Sequence, residues 1–338
     1  MKYTREKLIR KINSHFIRRI GPLPIYPYCY RAKWHALLHR KSKAVSSKGT
    51  NVTYFAARPN PGAGIGHQMA NWIAGFYYAQ HFGLQFAHIP FPDSEWERLL
   101  GFGIDEAPME TLLKEEGYRK VRLPQFKHPD EIAPIVASYA GQRVVLLAER
   151  DQGLKEQHLI AESLQCKYHR VNSVTGLNFS KDVLNIAIHV RRGDIMAGGK
   201  AAEGLANRFQ SIEYFENILR SVLAATEGRP RRVYLFSQEG REAFQALEAL
   251  HPIEFCLDMG AHDSFRHMVM ADILITSKSS FSFMPALLSH GIKICPKDFW
   301  QEYPVNSSWI LATEKGEVDK GHLAGELFEA VNFHETSN

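Results

Sequence analysis

Cysteine is scarce in this 338-residue chain, and long apolar runs are missing. The four cysteines, Cys29, Cys166, Cys256 and Cys295, form no Cys-x-x-Cys pair. That spacing argues against a disulfide framework or a structural zinc site. It predicts buried, reduced thiols of the kind cytosolic proteins carry. No uninterrupted apolar stretch approaches the roughly 20 residues needed to span a bilayer. The charged N-terminus lacks the apolar segment of a secretory signal, so the expected location is cytoplasmic. No repeat or low-complexity tract is present. With 45% hydrophobic and 23% charged residues, wholesale disorder is excluded.

Charge is unevenly placed. Residues 1–48 hold 13 of the 41 lysines and arginines and one acid, Glu6, a net +12. The remainder carries 28 basic and 35 acidic residues, a net −7. A nucleic-acid-binding body should itself be basic, so no nucleic-acid partner is expected. In the arm, Leu8, Ile9, Ile12, Phe16, Ile17 and Ile20 recur at near-helical spacing among Lys7, Arg10, Lys11, Arg18 and Arg19. Two readings fit: an amphipathic helix on an anionic membrane surface, or a helix packed on the body with a solvated basic face. Gly21-Pro22-Leu23-Pro24 breaks it, and residues 45–51 read as a linker.

From Val52 onward, strand-like and helix-like segments alternate. Val52–Ala56 predicts a strand, and a helix runs from about His67 to Phe82. Arg143–Ala148 and Asn185–Val190 predict buried strands. Ser211–Thr226 predicts a helix with Ile212, Phe215, Leu219 and Val222 on one face. Strands at Arg232–Ser237, Asp272–Thr276 and Gly291–Cys295 alternate with helices at Arg241–Leu250, Ser264–Ala271 and Ser280–Ser289. This spacing implies parallel βαβ units. The expectation is an α/β protein with a domain boundary near residues 170–183, giving an arm over 1–48, one domain over 49–178 and another over 179–338.

Three strings could carry chemistry. His189-Val190-Arg191-Arg192-Gly193-Asp194 lies where an apolar strand runs into a loop. Ligands of open parallel sheets bind outside such strand ends, and guanidinium pairs suit phosphate oxygens. The loop at 195–207, with Lys200 and Glu203, follows. Gly62-Ala63-Gly64-Ile65-Gly66-His67-Gln68 follows a strand and opens a helix, whose N-terminus favours anions. Asp263 to Asp272, then Thr276-Ser277-Lys278-Ser279-Ser280-Phe281-Ser282, brings a hydroxyl-rich turn to another helix start. Five hydroxyls in seven positions exceed what capping needs. Phe265 and Met268 read as core.

Together and in this order, over about Val52–Trp300, the three strings resemble the fucosyltransferase superfamily with a His-x-Arg-Arg-Gly-Asp motif. That superfamily includes α-1,2-, α-1,6- and protein O-fucosyltransferases. His189–Asp194 looks like the shared donor motif. Gly64–Gln68 is similar to the Gly-x-Leu-Gly-Asn-Gln start of the α-1,2 family, and Ser279–Ser282 resembles its third motif. His67 stands in place of the usual Asn, and Phe283-Met284-Pro285 in place of an aromatic pair. Phe236-Ser237-Gln238-Glu239 stands where Ser-Asp-Asp is common.

The resemblance implies a GT-B fold: two Rossmann-like domains facing a cleft, an acceptor domain over 49–178 and a GDP-sugar domain over 179–338. It implies an inverting, metal-independent glycosyltransferase with no cofactor, using GDP-fucose as donor and a glycan or glycolipid hydroxyl as acceptor. The expected setting is bacterial surface polysaccharide synthesis, with the arm as a peripheral contact at the cytoplasmic face of the inner membrane. Arg191 is assigned to the β-phosphate; Arg192 either touches phosphate or braces the loop. Ser279, Ser280, Phe281 and Ser282, with Gly64 and Gly66, complete the donor site. His189 lies near the guanosine and Asp263 meets guanine. Asp194, Glu203 and His67 are the candidate bases, Asp194 having the alternative of holding the motif arginines. Trp96, His88, Asp93 and Glu95 either line the acceptor pocket or fold it. Competing readings keep the fold with another nucleotide sugar, or keep binding without turnover.

Overall fold

The structure, a computed structural model, describes residues 52–60, 62–124, 126, 128–149, 153–173, 176–180, 182–193, 208–304, 306 and 308–336, with Ile12, His15, Arg19 and Leu23. Ile12, His15 and Arg19 are helical and exposed. The rest of the amphipathic stripe, the 45–51 linker, Cys29 and the 195–207 loop lie outside the described residues.

In chain order the first elements are β1 (Tyr54–Ala57), α1 (Ile65–His81), β2 (Gln85–His88), α2 (Ser94–Leu100), β3 (Ala107–Pro108) and α3 (Met109–Lys114). Then come β4 (Arg119–Arg122), α4 (Ala133–Ser138), β5 (Val144–Ala148) and α5 (Ala161–Val171). The second half runs β6 (Leu184–Val190), α6 (Ile212–Ala225), β7 (Arg231–Ser237), α7 (Gln245–Glu248), β8 (Ile253–Phe255) and α8 (Ala261–Met270). It ends with β9 (Ile273–Ile275), α9 (Ser280–Leu288), β10 (Ile292–Pro296), β11 (Trp309–Ala312) and α10 (Lys320–Thr336). No described helix is long and apolar enough to cross a membrane.

The described chain divides into two compact units. The first takes the chain up to Ala63, His67–Pro92 and Gly103–Leu154; the second takes Gly64–Gly66, Asp93–Phe102 and everything from Lys155. Each unit has one parallel sheet. The first sheet has the order β3-β2-β1-β5-β4. The second has the order β11-β10-β9-β6-β7-β8.

Parallel strands covered on both faces read as continuous apolar runs. Val144–Ala148 and Ile273–Ile275 are buried at every position. In the second unit Ile186, Ile188 and Val190 of β6 join Phe215, Ile218, Leu219 and Val222 of α6 in one core. Ser211 caps α6, its Oγ accepting from the Tyr214 N–H. In the first unit Trp72 of α1 stacks on Phe76 and meets the edge of Phe86. Phe265 and Met268 are fully buried core.

Several boundaries differ from the sequence expectation. α1 begins at Ile65, so Gly66 lies within the helix rather than in the turn. The expected helix over 241–250 is a 3-10 turn, Arg241–Phe244, followed by the single-turn α7. The expectation of buried thiols holds for Cys295 alone among the described cysteines. Cys166 is exposed because Leu164, Lys167 and Tyr168 take the packed face of α5. Cys256 is half-buried, just past the edge strand β8.

Candidate functional site

The second sheet reverses its build direction at β6. The chain steps outward from β6 through β7 to β8, then crosses back and lays β9 on the other side of β6. Loops part at such a reversal, and open parallel sheets hold ligands in the crevice outside those strand ends. Ile188 pairs with Ile275, so the residues that follow on β6 meet the turn that follows β9.

His189 is buried, and its Nδ1 lies 2.8 Å from Ser277 Oγ. Burial, with the charge of Arg191 adding, pushes its pKa down to about 3. The ring is therefore neutral at physiological pH and acts by hydrogen bonding, not as a cation. The Phe281 ring centroid stands 5.5 Å from it.

Two residues on, Arg191 Nη1 donates to Ser279 Oγ at 3.0 Å. Ser279 is the N-cap of α9, and the same oxygen accepts from the Phe281 N–H. A guanidinium and the positive end of a helix thus converge on one hydroxyl. That arrangement repels cations and favours an anion with several oxygens.

The turn is held from within. Ser282 is fully buried; its Oγ accepts from the Ser277 N–H and lies 3.3 Å from the carbonyls of Ser277 and Ser279. Gln210 Oε1 accepts the Lys278 N–H at 2.7 Å. Ser280 sits in the first turn of α9, tight against Gly66: a Cβ on Gly66 would come within 2.7 Å of Ser280 Oγ. Gly64 is exposed, with open space where its Cβ would be.

Arg192 makes a different set of contacts. Its Nε donates to Glu239 Oε2 at 2.8 Å, its Nη1 donates to the Arg191 carbonyl at 2.9 Å, and its guanidinium lies over the Phe209 ring at 4.6 Å. Gly193 has φ +70, and a Cβ there would collide with Gln238.

The remaining candidates are scattered. Asp263 is exposed in the first turn of α8, its carboxylate 3.9 Å from Arg266. Its carbonyl receives His267 Nδ1–H at 2.7 Å, and His267 Nε2 accepts from the Asn178 N–H, so His267 is a fixed neutral tautomer. His67 is half-buried in the first turn of α1 and falls in the first unit. Asp194 and Glu203 lie outside the described residues.

Of the acceptor candidates, His88 is buried in β2 and accepts from Trp72 Nε1–H at 3.0 Å. Trp96, Asp93 and Glu95 belong to the second unit, gathered on His262 of α8. Its ring lies 4.2 Å from Trp96, with Asp93 and Glu95 carboxylate oxygens at 3.8 and 3.4 Å. Asp93 Oδ1 caps α2 by accepting from Glu95 N–H. Among the described residues no three His, Cys, Asp or Glu side chains are grouped as metal ligands.

Sequence reasoning missed Glu239, Gln210 and His262. The first had a signal: in the parallel pairing of β6 with β7, Val190 faces Ser237. Two residues further on, the same register faces Arg192 with Glu239.

Solved structures similar to this chain include POFUT1 in complex with GDP, at 11% identity, 73% of this chain, 99% of that chain and a TM-score of 0.46. A point mutant of Arabidopsis thaliana FUT1 in complex with GDP aligns at 10% identity, over 87% of this chain and 80% of that one, with a TM-score of 0.46. NodZ α-1,6-fucosyltransferase soaked with GDP-fucose aligns at 14% identity, over 71% and 93%, with a TM-score of 0.37. No family model and no curated protein matches the sequence.

Proposed function

We propose that this protein is an inverting glycosyltransferase that moves fucose from GDP-fucose to a glycan or glycolipid hydroxyl. The observation that carries the reading is Arg191 held on the N-cap hydroxyl of α9 at the reversal point of the second sheet. Negative charge grows on the diphosphate as the sugar–oxygen bond breaks. Arg191, Ser279 and Ser280 with the helix N-terminus are the preorganised groups that stabilise it. Neutral His189 offers a hydrogen bond without a second charge. Arg192 serves as the loop brace rather than a phosphate ligand, since Glu239, the Arg191 carbonyl and Phe209 engage its guanidinium.

The finer assignments belong to the same proposal. The fold is of GT-B type, with an acceptor domain over 49–178 and the donor domain over 179–338. Phe281 and Gly64 flank the donor, and Asp263 reads guanine. The reaction needs no metal and no cofactor, because Arg191 and the helix end supply the positive charge. The linkage is α-1,2-like, the product a bacterial surface polysaccharide, and the arm over 1–48 a peripheral membrane contact at the cytoplasmic face. The base is Glu203, Asp194 or His67, and a proton acceptor must stand opposite the leaving group. Donor binding retained with transfer lost in one of Glu203→Gln, Asp194→Asn or His67→Ala identifies it.

Calorimetric titration with GDP, UDP, GDP-fucose and GDP-mannose, with and without EDTA, tests the whole reading. Micromolar binding of GDP and GDP-fucose that EDTA leaves unchanged is the expected result. Preference for UDP or GDP-mannose overturns the donor, and no nucleotide binding overturns the function.

A further inference from the structure

Arg191 is held by more than its bond to Ser279. The backbone that carries it off the end of β6 is held from the turn that follows β7. Arg192 Nη1 ties down the Arg191 carbonyl at 2.9 Å, and Glu239 Oε2 ties down Arg192 Nε at 2.8 Å. Phe209 lies against the Arg192 guanidinium at 4.6 Å. A Cβ on Gly193 would press on the Gln238 side-chain amide, which lies against this turn.

The electrostatics point the same way. Two guanidiniums are adjacent in the chain, and Arg191 stands at the positive end of α9. The Arg192 side chain is only 4% exposed. A buried guanidinium without a carboxylate is an uncompensated charge. Glu239 neutralises Arg192 and holds its guanidinium away from Arg191's role.

We infer that Glu239 is a positioning residue for Arg191, acting through Arg192. The inference rests on the reading of this site as a diphosphate site.

The experiment compares GDP with guanosine by calorimetry in wild-type protein, Glu239→Gln and Arg191→Ala. Guanosine lacks the groups that Arg191 would hold. Glu239→Gln keeps an acceptor of the same size but removes the charge. The expected result is a loss of GDP affinity of about tenfold or more, the scale of one lost hydrogen bond to a charged group. Guanosine affinity should stay within about twofold, as in Arg191→Ala. A purely structural role would lower both affinities together or neither. Equal loss for both ligands, or unchanged GDP affinity in the folded variant, overturns the inference while leaving the diphosphate reading intact. Wild-type protein that binds GDP no better than guanosine overturns both. If Glu239→Gln does not fold, the pair Arg192→Met with Glu239→Leu replaces the ion pair with apolar side chains, a change proteins often tolerate. The same selective loss of GDP is expected there, and retention of GDP affinity overturns the inference.

Discussion

The second sheet reverses its build direction once, at β6/β9, whereas the first does so twice, crossing from β3 to the far edge at β4 and stepping back to β5 beside β1, and the reversals at β1/β5 and at β6/β9 are furnished differently. At the first, the Arg58 N–H donates to the Ala148 carbonyl, and Asn71 and Gln68 donate to the carbonyls of Arg58 and Ala63. Those polar side chains fasten the loop to its own helix. At the second, His189, Arg191 and the serines bond one another, around a guanidinium and a helix N-terminus. The topology provides a crevice in each sheet, but its side chains decide what it can hold. A phosphate reading belongs to the second.

The largest expected effect falls on Arg191. Arg191→Ala should cut fucose transfer by about 10²–10³, the usual loss for one charge-stabilising donor in a dry site. The melting temperature should barely move, because Arg192 and not Arg191 braces the loop. Steady-state kinetics and a thermal melt check both halves. Activity within a few-fold of wild type would erase the contrast between the two reversals.

Acidification offers a second way to separate them. His189 has a pKa of about 3 in the folded chain, against 6.5 for an ordinary histidine. The unfolded chain therefore binds a proton between those values that the folded chain refuses. The stability that His189 contributes is fully present above pH 6.5 and declines as pH falls toward 3, by a few kcal/mol in all. Urea unfolding at a series of pH values should show that slope, and His189→Gln should flatten it. An unchanged slope in the variant would mean that other groups drive acid unfolding.

Much of the second sheet was legible in the sequence because β6, β7, β9 and β10 are continuous apolar runs punctuated by glycine and serine. The chain between Leu84 and Gln142 was not. β2, β3 and β4 are four, two and four residues long, too short for a period to show, and α2, α3 and α4 are held by packing more than by pattern. At the candidate site, the residues proposed to meet the donor could be named from the motif, but their supports could not. Glu239 and Gln210 lie 47 and 68 residues from their partners. The β6/β7 register brings in Glu239, the irregular chain before α6 brings in Gln210, and both placements are properties of the assembled fold.

The first sheet should answer to structural damage alone. His88→Ala removes the acceptor for Trp72 Nε1–H in the apolar cluster beneath α1. An orphaned buried donor costs about 1–3 kcal/mol, so urea unfolding should register a loss of that size. GDP affinity should not change. A parallel loss of GDP binding would tie the first sheet to the donor and dissolve the distinction.

The smallest effects separate Gly64, in the turn after β1, from Gly66, in the first turn of α1. Gly66→Ala would bring a Cβ within 2.9 Å of the Ser280 backbone as well as its hydroxyl. The start of α9 must shift, at a cost of about 1–2 kcal/mol, and GDP affinity should fall with it because Ser280 and Ser279 move together. Gly64→Ala meets open space, so stability should stay within about 0.5 kcal/mol. Any loss of GDP affinity in Gly64→Ala then reports the ligand itself occupying that space. Equal behaviour of the two variants in both assays would show that the turn after β1 supports the fold without touching the donor.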